Sequence, residues 1–161
     1  MKKILTAGLF LLSAFTVSAQ TKITKAAVLG KWSIVSVEVK GVFLYDVEKD
    51  SLVLGEDMKA QIPDPQQLPL IISTMKQQLA MVAKATFLFN ADGTAEMGGG
   101  TELSQKATYS VDEANSTIKT TATDGDKKED VMKGEMVKEN LHLIASQPQG
   151  DMHMTLKKLR S

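Results

Sequence analysis

The sequence contains no cysteine. That absence excludes disulfides, thiolate nucleophiles, cysteine-held metals and acylation as a lipoprotein. Net charge is also missing: 19 basic residues balance 19 acidic ones, with no long run of either sign. The basic field that marks nucleic-acid binders is therefore lacking, and no nucleic-acid partner is expected. Aromatics make up only 5%, with a single tryptophan, so the core must be built from aliphatic residues and the eight methionines that follow Met1. No G-x-S-x-G, P-loop or EF-hand loop occurs, and neither an enzyme nor a cofactor is expected. What is present, 43% hydrophobic and 24% charged residues, is the composition of a globular domain.

The N-terminus carries a distinct pattern. Lys2 and Lys3 form a positive n-region, Ile4 to Val17 an apolar h-region, and Val17-Ser18-Ala19 ends on small residues. Residues 1–19 thus read as a signal peptide cleaved before Gln20, and the product is expected in the periplasm or outside the cell. The apolar stretch is shorter than the roughly 20 residues that span a bilayer. The richest later run, Leu68 to Val82, is interrupted by Pro69 and Lys76, so no membrane span is expected.

Residues 20–161 read as one all-β domain. After a polar lead-in, Gln20 to Ala27, strand signals recur at Lys31–Lys40, Val42–Glu48, Ala85–Asn90, Thr94–Met97, Lys106–Val111, Thr117–Thr123, Glu129–Met136, Leu141–Ser146 and Met152–Leu159. Turn chemistry separates them: Asn90-Ala91-Asp92-Gly93, Asp112-Glu113-Ala114-Asn115, Asp124-Gly125-Asp126, Lys138-Glu139-Asn140 and Gln147-Pro148-Gln149-Gly150. Hairpin-length gaps make sequence neighbours antiparallel, an up-and-down barrel of eight or nine strands. In the first strand Trp32 and Ile34 lie on one face and Val35, Val37 and Val39 on the other, which calls for a bulge near Ile34-Val35. One helix interrupts the barrel at about 65–84. Asp64 and Gln67 supply a capping box, Pro65 suits the first turn, and Leu68, Ile72, Met75, Leu79 and Val82 recur at helical spacing. The loop Gly55 to Pro63 leads into it, and Gly98-Gly99-Gly100 marks the most flexible point of the sheet.

Three short stretches carry a family resemblance. Gly30-Lys31-Trp32 resembles the G-x-W motif that opens lipocalins, and Phe87-Leu88-Phe89-Asn90-Ala91-Asp92-Gly93-Thr94 is similar to a hairpin of exported bacterial lipocalin-like proteins. Met154 to Leu159 resembles their last strand. The resemblance implies a calycin-type barrel in which Trp32 plugs the closed end beneath a cation, Lys158 or Arg160. It implies a small apolar or amphipathic ligand inside. The helix between early strands departs from the family pattern and would lid, gate or fill the barrel.

On that expectation the ligand-binding walls are Phe43, Phe87, Phe89 and Ile118, with the adaptable thioethers of Met75, Met97, Met132 and Met154 and the orienting hydroxyls of Tyr45 and Tyr109. The alternative is a filled barrel that acts as an interaction or inhibitor module for an envelope protein. His142 and His153 point outward, offset by two positions, if Leu143 faces Met154. Met152-His153-Met154 cannot converge on copper, because alternate strand residues project to opposite faces. No metal site is expected.

Overall fold

The computed structural model describes residues 21–98, 104–124, 128–148 and 150–160. The segment expected to be a signal peptide, most of the triple-glycine run, Gly125-Asp126 and Gln149 lie outside the described residues.

Among the described residues eleven strands form one antiparallel sheet, and eight of them close into a ring. The ring consists of β2 (Gly30–Val39), β5 (Thr86–Phe89), β6 (Thr94–Gly98), β7 (Gln105–Asp112), β8 (Thr117–Ala122), β9 (Glu129–Val137), β10 (Asn140–Gln147) and β11 (Gly150–Lys158). Closure runs through β11 pairing with β2, which leaves the barrel strands without a free edge where they meet. The first half of β2 pairs with β5, while its second half pairs with β3 (Phe43–Asp46), which continues to β4 (Ser51–Leu54). This hairpin stands outside the ring.

The expected bulge is present. Thr155 faces Ser36 and Leu156 faces Ile34, so Val35 is the extra residue on β2. That residue lets both Ile34 and Val37 turn into the core, a phase change that a regular strand cannot make. The last hairpin adopts the expected register, Leu143 opposite Met154, with His142 opposite Thr155 and His153 opposite Ile144.

The polar lead-in proves to be ordered structure. Thr21–Lys22 forms β1 against β9, and Lys25–Val28 forms a short helix, α1, whose Thr24 hydroxyl accepts from the Ala27 amide at 3.1 Å. Ile23 and Val28 are fully buried and close one end of the barrel with Trp32. A buried aliphatic side chain of this size contributes about 1.5–3 kcal/mol relative to exposure. Periodicity missed this segment because it is too short to show a period, and its lysines lie on the outside.

The inserted helix is also present. Pro65–Gln67 forms a 3₁₀ turn capped by Asp64, whose carboxylate accepts from the Gln66 amide at 2.9 Å, and Leu68–Ala83 follows as α3. The loop before it contains a further short helix, α2 (Glu56–Ala60). Helix α3 packs against β2 and β4, outside the ring, and none of its residues is fully buried. Leu68, Ile72, Met75 and Leu79 are half-buried, but Val82 is exposed. The helix therefore does not fill the barrel. Among the described residues no helix is long and apolar enough to cross a membrane.

Candidate functional site

The structure brings most of the expected wall residues together, and it packs them against one another. Phe87, Phe89, Tyr109, Ile118, Met132 and Met154 belong to one buried core cluster, with Phe43 and Met97 half-buried at its margin. Phe89 meets Tyr109 edge-to-face with ring centroids 5.0 Å apart. Tyr45 is buried outside this cluster, on the β3–β4 hairpin, and Met75 lies on α3.

The two hydroxyls expected to orient a ligand are already engaged. Tyr109 Oη donates to the Asn90 carbonyl at 2.8 Å, and Tyr45 Oη donates to Asp50 Oδ1 at 3.0 Å. Burial pushes both phenols above their ordinary range, and the neighbouring carboxylates, Asp92 for Tyr109 and Asp50 for Tyr45, push the same way. Both therefore stay neutral donors. Among the described residues every buried side-chain nitrogen or oxygen has a hydrogen-bond partner, so the interior offers no free polar group to a ligand.

Space lies elsewhere. A cleft of about 1120 Å³ opens at the plugged end, between α1, the bulged part of β2, the β3–β4 turn, the end of α3, the β9–β10 turn and the end of β11 with the two residues after it. Its apolar lining includes Val35, Val47, Ala83, Met136 and Leu159, with Trp32 and Ile34 beneath. Its charged lining is Glu48, Glu139, Lys157, Lys158 and Arg160. None of the ten expected wall residues borders it. A depression of about 390 Å³ at the β7–β8–β9 rim is lined by Lys106, Lys128, Asp124 and Asp130 and lacks an apolar wall. The large cleft combines apolar walls with a few polar groups, as small-molecule sites do.

The cleft is built by local rules. Trp32 Nε1 donates to the Val28 carbonyl at 2.8 Å, which fixes the indole over α1. Lys158 Nζ lies 5.4 Å from the ring centroid, so Lys158 is the cation that the G-x-W resemblance implies. Gly30 has φ +110°, and a Cβ there would stand 3.0 Å from the Lys158 side chain. The β3–β4 turn is held down by Val47 N donating to the Val35 carbonyl at 2.9 Å and by an ion pair of Lys157 with Glu48 at 2.9 Å. Helix α3 is tied to the same turn through Lys76 and Asp50 at 2.7 Å. Lys76 and the Tyr45 hydroxyl together hold the Asp50 carboxyl below the usual carboxylate range.

Sequence reasoning missed this site because its residues come from six segments without a shared motif. The bulge at Val35 was the one legible signal, since the residue it expels from the ladder becomes part of the cleft wall. Among the described residues no group of three His, Asp or Glu side chains could hold a metal ion.

No protein-family model matches the chain, and no curated protein matches it. Among solved structures it is similar to a DUF4847 family protein from Bacteroides vulgatus ATCC 8482, at 16% identity and a TM-score of 0.49, over 82% of this chain and 94% of that one.

Proposed function

We propose that this chain is an exported, non-catalytic binder of a small apolar or amphipathic molecule, and that the molecule lies in the cleft at the plugged end of the barrel. The cleft itself carries this reading: it is large enough for such a ligand and lined in part by Val35, Val47, Ala83, Met136 and Leu159, while the interior is occupied by its own side chains. Affinity would come from apolar burial at about 25 cal/mol per Å², less the cost of association. Export rests on the pattern of Met1 to Ala19. Native mass spectrometry of protein purified from its own host tests both parts. A chain starting at Gln20 with a copurifying apolar molecule is expected. A chain retaining Met1 to Ala19 would contradict export, and a protein that binds no apolar compound in any trial would contradict the ligand reading.

A second reading, an interaction module of the cell envelope, is supported by the cross-strand pair Leu44 and Val53. These apolar residues are 42% and 55% exposed on the outer hairpin, whose strand β4 ends the sheet.

A further inference from the structure

We infer that the ligand of this cleft is a single-chain amphiphile with a singly charged anionic head, bound with the head at Arg160; the inference rests on the reading of the cleft as a ligand site. The strand register orders the lining. On β11, Thr155 faces Ser36, Lys157 faces Ser33, Lys158 faces Trp32, and the Leu159 amide donates to the Lys31 carbonyl. Val35 and Val47 therefore stand at one end and Arg160 at the other. At about 3.3 Å per residue the five steps from Val35 to the level of Gly30 span roughly 17 Å, the scale of one medium-length acyl chain.

Charge is sorted along the same axis. Lys157 is neutralised by Glu48, and Lys158 is held over the Trp32 ring. Among the described residues Arg160 has neither an ion pair nor a ring contact. Its guanidinium presents a planar fork suited to a carboxylate. Glu139 borders the same end, so Lys158 and Arg160 together exceed it by one positive charge. One excess charge matches a monoanionic head and disfavours a doubly charged one. A neutral apolar ligand would leave this end of the cleft unused.

Calorimetric titration of the mature chain with dodecanoate, dodecanol and dodecyltrimethylammonium, each below its micelle concentration and at low salt, tests the assignment. Dodecanoate is expected to bind about tenfold tighter than dodecanol, as one charge-assisted hydrogen-bonded contact would give. Arg160→Gln is expected to abolish that advantage, bringing dodecanoate to the affinity that the same variant shows for dodecanol. The residue is exposed and lies outside the strands, so the substitution leaves the fold intact, which circular dichroism checks. Equal binding of the cationic amphiphile, or an advantage that survives Arg160→Gln, would overturn the anionic-head assignment while dodecanol binding still supported the cleft as a ligand site. No binding of any of the three would overturn both.

Discussion

Ile23 occupies the space that Gly134 leaves by having no side chain: a Cβ at position 134 would stand 3.0 Å from Ile23 Cδ1 and 3.4 Å from its Cγ2. Through this contact the N-terminal segment is locked into the barrel end, and the floor of the cleft depends on it. Gly134→Val is expected to expel Ile23 and cost about 1–3 kcal/mol, the usual penalty for overpacking. Combining it with Ile23→Ala should cost less than the sum of the two single changes, measured by urea unfolding as a double-mutant cycle.

Trp32→Phe keeps an aromatic plug but removes the donor that reaches Val28 at 2.8 Å. A loss of about 1–3 kcal/mol is expected from this buried contact. Lys158→Gln should cost no more than about 1 kcal/mol, because its ammonium lies over the ring at an exposed site. Equilibrium denaturation ranks the two.

Lys76 and Asp50 tie α3 to the β3–β4 turn, yet both side chains are substantially exposed, at 32% and 68%. Asp50→Asn suits the left-handed backbone there, φ 47°, and is expected to leave global stability little changed, because the pair is exposed to solvent. Local stability is the better readout. Amide exchange in α3 should accelerate, while exchange in β10 and β11 stays unchanged.

Acid should loosen the turns first. Asp46, Asp50, Asp92 and Asp112 are all held below the usual carboxylate range, chiefly by hydrogen bonds from Lys49, Lys76, Thr94 and Asn115 respectively. A carboxylate with a depressed folded pKa contributes stability above its unfolded value, about 3.9, and loses it as pH falls through the folded value. The phenols of Tyr45 and Tyr109 act at the other extreme. Their raised pKa values leave stability intact below about pH 10 and remove it as pH rises through the folded values. Melting temperature against pH should therefore show a plateau that falls at both ends. A flat acid limb would contradict the role given to the four aspartates.

The barrel was legible in the sequence because its strands alternate and its turns carry Asn, Asp and Gly at the positions that need them. All nine expected strands are present, as are the helix and the bulge at Val35. Strands β1 and β4 and helices α1 and α2 were not legible, since segments of two to five residues are too short to show a period. The site was less legible than the fold. Alternation showed that Ile118, Met132 and Met154 face inward, but not that they would fill the interior, because closure of the packing depends on Ile23 reaching Gly134 from a distant segment.

Methyl chemical shifts during titration with dodecanol distinguish a ligand in the cleft from one inside the barrel. With the ligand in the cleft, Val35, Val47 and Ala83 shift while Ile118, Leu141 and Leu143 stay in place. Shifts confined to Ile118, Leu143, Met132 and Met154 would contradict that placement and return the ligand to the barrel interior.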